Sequence, residues 1–251
     1  DVFINTLKSS KRVLAILSEE EDEPIFIDDK GKYIVSFDPL DGSSNVDANV
    51  TIGSIFGIWK TCEEKPKENL LFPGNKLIAA GYCVYGSSTQ MVICLDNIVN
   101  AYTLDTSLGE FILSHPNLRI PNSHPIYSIN EGNTYLWDDK VKKFVESKKF
   151  PKNGEKPYSL RYVGSMVADV HRTLLYGGIF MYPADSKNTF GKLRLMYECN
   201  PLSFIIENAG GKSIDGKNRI LDIVPKEAHQ RSAIFMGSPA EVTEIENLYK
   251  N

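Results

Sequence analysis

Phe37-Asp38-Pro39-Leu40-Asp41-Gly42-Ser43-Ser44 is the stretch on which the reading of the whole chain turns. A short apolar run, Tyr33 to Phe37, reads as a buried strand and delivers two carboxylates three residues apart, then a glycine and two hydroxyls. Pro39 fixes its own φ and holds Asp38 extended. Gly42 lets the backbone come close to a ligand. Successive amides after such a turn cradle a phosphate, above all where a helix begins. Carboxylates beside that cradle repel a phosphate unless cations intervene. Hard divalent ions with oxygen ligands resolve the conflict, and Mg²⁺ is the usual one when phosphate supplies further ligands. The same octet is also a sound capped turn with no ligand at all, so the neighbouring segments decide.

Two segments bear on it. Glu19-Glu20 follows a strand-like alternation at Val13, Ala15 and Leu17, which lets a second acidic pair reach the same sheet edge. The competing reading is surface charge, and Glu21, Asp22 and Glu23 are read that way, as a solvated loop. Farther on stands Gly191-Lys192-Leu193-Arg194-Leu195-Met196-Tyr197-Glu198-Cys199-Asn200-Pro201. Read as a strand, it puts Lys192, Arg194 and Glu198 on one face. Two cations and a carboxylate there suit a phosphate plus a metal. An exposed strand with outward charges is the alternative, and the three segments together favour the site.

The first half otherwise reads as helix into strand from Asp1 to Leu17. Strands follow at Val50 to Trp59, Leu77 to Val84, Gln90 to Leu95, Asn100 to Leu104 and Phe111 to Leu113. Glu63 to Asn75, with Pro66 and Pro73, reads as an exposed loop. His115-Pro116-Asn117 and Pro121-Asn122 mark a boundary near residue 118, giving subdomains 1–118 and 119–251. His115 and His124 read as loop residues there, and His171 and His229 as packing or hydrogen-bonding ones. The second half reads as helices at Trp137 to Ser147, Ser165 to Leu175, Leu202 to Ala209 and Ala240 to Tyr249, with a strand at Ile179 to Tyr182. The class is mixed α/β, with helices covering sheets.

The chain has 251 residues and a formal net charge of −4, which gives no electrostatic reason to expect nucleic acid or an anionic membrane as partner. Its four cysteines, Cys62, Cys83, Cys94 and Cys199, show no metal-type spacing and fit a reducing compartment. No apolar run approaches a membrane span.

Taken together these residues resemble the fructose-1,6-bisphosphatase family. The octet matches the metal motif of the wider lithium-sensitive, inositol monophosphatase-like superfamily, and the 191–201 run resembles the bisphosphatase signature. Tyr162 to Arg172, Ile223-Val224-Pro225 and His229-Gln230-Arg231 are also similar to that family. The resemblance covers essentially the whole chain. It implies the family's layered sandwich of mixed sheets with helices between and outside them, and metal-dependent removal of the 1-phosphate of fructose 1,6-bisphosphate in a cytoplasmic enzyme of gluconeogenesis. Glu19, Glu20, Asp38, Asp41, Glu198 and the Leu40 carbonyl match the family's ligands for two or three Mg²⁺, with Mn²⁺ or Zn²⁺ as substitutes, and Glu20 helps activate the attacking water. Gly42, Ser43, Ser44 and Arg194 match the 1-phosphate site. Asn130, Tyr162, Tyr182 and Lys192 match the 6-phosphate pocket, and Gly164 and Met166 the sugar pocket. Arg161 matches an arginine donated across a subunit interface, which implies a homo-oligomer, a tetramer in this family.

The sequence departs from the family pattern in places. Family members carry a longer amino-terminal region that helps form an AMP site, and Asp1 corresponds to a position just after it. Lys32 and Tyr33 match AMP-contacting positions whose helical partners lie in that region. Asn133 stands where a tyrosine is common in the 6-phosphate pocket. Lys60 stands where arginine is frequent, and the two are not equivalent at a bidentate contact. The loop Thr61 to Asn75 carries only Cys62, unlike the thiol-regulated plastid type. The alternatives are a sedoheptulose-1,7-bisphosphatase or dual-specificity enzyme, and a non-catalytic sugar-phosphate-binding protein.

Overall fold

The computed structural model describes residues 1–61, 69–152 and 154–250. The alternating segments of the first half form one eight-stranded sheet. Its strands are β1 (Val13–Ser18), β2 (Ile25–Phe26), β3 (Tyr33–Asp41), β4 (Ile52–Lys60), β5 (Leu77–Tyr85), β6 (Thr89–Leu95), β7 (Ile98–Asp105) and β8 (Glu110–His115), ordered β2-β1-β3-β4-β5-β6-β7-β8. β1 and β3 run parallel and the other neighbours antiparallel. Gly53 in β4 is required by close approach, since a Cβ there would stand 2.2 Å from the Cys83 carbonyl oxygen. His115 is not a loop residue but ends β8 opposite Ala101. The sequence places this strand at Phe111 to Leu113; no residue of it is buried, so no alternation marks its extension to His115.

The second sheet, ordered β10-β9-β11-β15-β13, comprises β9 (Ile126–Ser128), β10 (Ser159–Leu160), β11 (Ile179–Tyr182), β13 (Lys212–Ile214) and β15 (Ile234–Gly237). A two-stranded ribbon pairs β12 (Leu193–Arg194) with β14 (Arg231–Ser232). Helices α3 (Met166–Tyr176) and α4 (Asn200–Asn208) lie between the two sheets and contact both. Their apolar side chains join one core cluster running from Leu14 and Trp59 in the first sheet to Phe180 and Met236 in the second. Helices α2 (Asp139–Lys149) and α5 (Pro239–Lys250) cover the outer face of the second sheet, and α1 (Val2–Ser10) packs on the first. The result is the expected mixed sandwich with helices between and outside its sheets.

Helix limits follow their caps. The Asp138 side chain accepts from the Val141 N–H at 2.8 Å and starts α2 two residues later than hydrophobic periodicity suggests. Of the expected Glu63 to Asn75 loop, residues 63–68 lie outside the described residues, as does Cys62. The remainder is anchored rather than free: Leu70 is buried, and the Trp59 indole N–H donates to the Pro73 carbonyl at 3.1 Å.

The largest correction concerns residues 191–201. They form only a two-residue strand, after which Leu195–Cys199 makes a wide helical turn that leads into α4. Glu198 therefore does not share a strand face with Lys192 and Arg194. Period-2 counting fails because the chain switches from strand to helix inside the segment.

Candidate active site

β3 leaves the sheet through a register shift between Asp38 and Asp41. The Asp38 carboxylate accepts from the Leu40 N–H at 2.8 Å, and the Ser54 hydroxyl donates to the Pro39 carbonyl at 2.7 Å, so both flanks of the kink are fixed. Leu40 sits in the kink with a partly exposed side chain. Asp41 turns the other way, toward the start of α3, where its carboxylate accepts from the Val167 N–H at 2.8 Å and the Ser165 hydroxyl at 3.4 Å. At Gly42, φ is +80° and a Cβ would stand 2.6 Å from the Ser165 hydroxyl oxygen, so both conformation and space demand glycine. Ser43 and Ser44 then open a single 3₁₀ turn, and the Asn45 side-chain amide donates to the Gly164 carbonyl at 3.1 Å, tying this loop to the one before α3.

Glu198 reaches the same place from the wide turn. Its carboxylate accepts from the Arg194 N–H at 2.5 Å, and the turn is bolted to β3 by the buried Ser36 hydroxyl, which donates to the Met196 carbonyl at 2.8 Å. The outcome is a group of three buried carboxylates, Asp38, Asp41 and Glu198, with oxygens all within 4.8 Å of one another. Glu19 stands beside them, half-buried, with the Arg194 guanidinium 3.5 Å away. Glu20 is exposed on the following turn.

A cavity of about 430 Å³ opens over these acids. Glu19, Asp41, Gly42 and Glu198 line one side. Asn130, Tyr162, Gly164, Met166, Tyr182, Lys192 and Arg194 also line the cavity, so these sequence-selected residues converge from both halves of the chain, whereas Glu20, Asp38, Leu40, Ser43 and Ser44 do not line it. Asn130 spends its side-chain oxygen on the Gly132 N–H at 3.0 Å. Burial pushes the Tyr162 phenol up to about 12, with Tyr182 and nearby carboxylates adding to the shift, so at neutral pH it remains an O–H donor. Arg161 does not line the cavity; its guanidinium donates to the Leu160 carbonyl at 3.0 Å on the edge strand β10. Lys32 and Tyr33 lie at the far end of β3, about 26 Å along the strand from Asp41. Asn133 lines a small adjoining cavity with Asn130 and Tyr182.

Burial raises the Asp38 carboxyl to about 7, with Asp41, Glu19 and Glu20 adding to it against the Leu40 N–H. Asp41 is raised by burial despite its bonds from Val167 and Ser165, and Glu198 is raised well above the carboxylate range by burial and the two aspartates. Three buried acids this close cannot all ionise without a compensating cation. An all-oxygen donor set is what a hard divalent ion takes, so the residues fit the metal that the resemblance implies.

Comparison with known proteins agrees with this geometry. Residues 1–116 match the model of the fructose-1-6-bisphosphatase N-terminal domain, and residues 120–250 that of the C-terminal domain. The chain belongs to the fructose-1,6-bisphosphatase family. It is 56% identical over 253 residues to the cytosolic fructose-1,6-bisphosphatase of rice, Oryza sativa, an alignment covering 99% of this chain and 75% of the relative. It is 56% identical to that of Arabidopsis thaliana, covering 99% and 74%. The crystal structure of Leishmania major fructose-1,6-bisphosphatase in holo form superposes with a TM-score of 0.95 at 42% identity, covering 99% of this chain and 81% of that one.

Two charged cavity residues of this fructose-1,6-bisphosphatase family member lie in segments similar to the family but received no site role from the sequence. Asp169, wholly buried in the first turn of α3, accepts from the N–H groups of Val163 and Gly164 and pairs with Arg172 at 2.8 Å. The only signal was an acid in a helix's first turn. Arg231 lines the cavity across the ribbon from Arg194. His171 packs as expected: its Nδ1 meets the Tyr82 hydroxyl at 2.9 Å.

The raised acids give the metal-free protein a pH signature. Asp38 moves from 3.8 unfolded to about 7 folded, so the folded state holds the extra proton. The stability this confers is full below pH 3.8 and is lost as pH rises through about 7. From pH 6 to 8 Asp38 alone accounts for about 1 kcal/mol. Thermal melts in EDTA should fall over that range, less so in Asp38→Asn, and Mg²⁺ should stabilise more at pH 8 than at pH 6. Equal slopes for wild type and Asp38→Asn would contradict the burial of this charge.

Proposed function

We infer that this chain hydrolyses the 1-phosphate of fructose 1,6-bisphosphate, giving fructose 6-phosphate and phosphate; its relatives are named cytosolic fructose-1,6-bisphosphatases. The observation that carries the inference is the cavity itself: Asp41 and Glu198, clustered with buried Asp38, share its lining with Lys192, Arg194 and two protonated phenols. The reaction belongs to gluconeogenesis, and the compartment is the cytosolic one of the relatives. No described helix is long and apolar enough to cross a membrane.

The roles follow from position. Residues 1–118 supply the acids at the end of β3 and the phosphate cradle, and 119–251 supply the sugar-phosphate pocket. Asp38, Asp41 and Glu198, with Glu19, Glu20 and the Leu40 carbonyl around them, hold two or three divalent ions, Mg²⁺ first among them. When bound, such ions supply an acidified water and positive charge against the phosphoryl oxygens. The backbone of Gly42, Ser43 and Ser44 cradles the 1-phosphate, and Arg194 lies beside it to neutralise charge that spreads over the equatorial oxygens in a loose transition state. Glu20, on the solvent side of Glu19, assists removal of the water's proton. Tyr162, Tyr182, Lys192 and the free side-chain amide of Asn130 hold the 6-phosphate, while Gly164 and Met166 border the sugar. Arg161 serves a neighbouring subunit in a homo-oligomer, a tetramer.

The experiment is Mg²⁺-dependent phosphate release from fructose 1,6-bisphosphate and sedoheptulose 1,7-bisphosphate, with and without EDTA. Release from the fructose ester at least tenfold faster than from the sedoheptulose ester is expected, and no release from either would overturn the reading. Lys192→Ala should raise KM roughly ten- to hundredfold and change kcat little, since one charge-assisted contact to a phosphate that stays bound is worth ~1.5–3 kcal/mol. An unchanged KM would remove Lys192 from the 6-phosphate pocket.

A further inference from the structure

Arg194 and Arg231 stand directly opposite each other in the β12–β14 ribbon. Directly paired residues of antiparallel strands project to the same side, and like charges so placed repel. Glu19 meets Arg194 at 3.5 Å, and Arg194 also donates to the His229 carbonyl at 3.2 Å. The Arg231 guanidinium has no partner among the described residues, nor has the Lys226 ammonium.

The two arginines also line two cavities at once. One is the catalytic cavity. The other, about 740 Å³, opens on the outer side of the ribbon, where Lys187, Lys226 and exposed Phe190 join them and Glu227 is the one acid. Four cations thus converge on a depression in a chain whose net charge is −4. An anion held between the arginines is what turns their repulsion into attraction, and paired guanidinium forks suit phosphate oxygens.

We propose that the outer cavity is a second phosphate subsite, in which Arg231 and Lys226 receive orthophosphate from Arg194 as it leaves the catalytic cavity. The identity of the anion rests on the hydrolase reading, whereas the existence of the subsite rests on the ribbon geometry alone. Lys226 lines only the outer cavity and Lys192 only the inner one, so the two lysines separate the locations.

The test is titration of metal-free protein with inorganic phosphate, followed by ³¹P line broadening, and needs no turnover. With fructose 6-phosphate held saturating, Arg231→Gln and Lys226→Gln should each weaken phosphate binding at least fivefold, Arg231→Lys should recover part of the loss, and Lys192→Gln should change it less than twofold. Wild-type affinity in both Arg231→Gln and Lys226→Gln overturns the subsite. A loss in Arg231→Gln with none in Lys226→Gln also overturns it, by placing the anion in the inner cavity. Failure of wild type to release phosphate from the bisphosphate would count against the hydrolase reading and leave this binding result to stand by itself.

Discussion

Asp41→Asn should lower kcat about a thousandfold, ~4 kcal/mol of transition-state stabilisation, while leaving the fold intact. The asparagine keeps an oxygen for the Val167 N–H, so the start of α3 remains held to the end of β3. What is lost is one of three carboxylates that share a space 4.8 Å across. In the metal-free protein the change relieves repulsion, because Asp41 is nearly wholly buried and its carboxyl is already raised by that burial. The melting temperature in EDTA should therefore hold or rise, while the rise produced by Mg²⁺ shrinks. A variant with near-normal kcat would remove Asp41 from the metal site. A variant that unfolds would show that the carboxylate is chiefly structural.

Asp169→Ala should do the opposite and destabilise the fold before it touches chemistry. Its carboxylate is 0% exposed and accepts the N–H groups of Val163 and Gly164 at 2.9 and 3.0 Å. It also pairs with Arg172, whose guanidinium in turn donates to the Arg161 carbonyl at 2.9 Å. Removing it strands two N–H groups and a largely buried cation, a loss of about 3–5 kcal/mol. At ~2–4 °C per kcal/mol for a chain of this size, the melting temperature should fall by roughly 10 °C or more. The loop 161–164 would then lose its definition, and KM should rise with it. Asp169→Asn retains an acceptor and should lose about half as much. A melting temperature within two degrees of wild type in the alanine variant would show that the loop is held by something else.

Much of this architecture was legible in the sequence, for reasons tied to particular residues. The strand ending in Asp38-Pro39-Leu40-Asp41-Gly42 declares itself, because proline and glycine leave few backbone paths and the apolar run before them fixes burial. Asp41 and Gly42 also suit a merely structural turn, and they could be read as functional only together with Glu19-Glu20 and the 191–201 segment. The wide turn at Leu195–Cys199 could not be read. Nothing local distinguishes it from a continued strand, and what selects it is the long-range bond from Ser36 to Met196. Glu198 thus comes to lie beside Asp38 and Asp41 by a different geometry from the strand face that the sequence suggested. Glu19 and Glu20 show the limit from the other side. They are adjacent acids, yet one faces the cavity and the other solvent, a difference set by where β1 ends against β3. Asp169 and Arg231 sit inside segments that resemble the family, yet their places show only in the fold: Asp169 binds the turn just before its own helix, and Arg231 meets Arg194 across the ribbon.

The central claim is that Asp38, Asp41 and Glu198 form one receptacle for hard cations facing a phosphate ester. The most direct test is anomalous scattering from crystals soaked in Mn²⁺ and fructose 6-phosphate with orthophosphate. The account requires a Mn²⁺ peak bonded to oxygens of all three carboxylates, with the phosphate on its open side near Gly42 to Ser44. Manganese bound only at surface acids, with those three carboxylates empty, would contradict it.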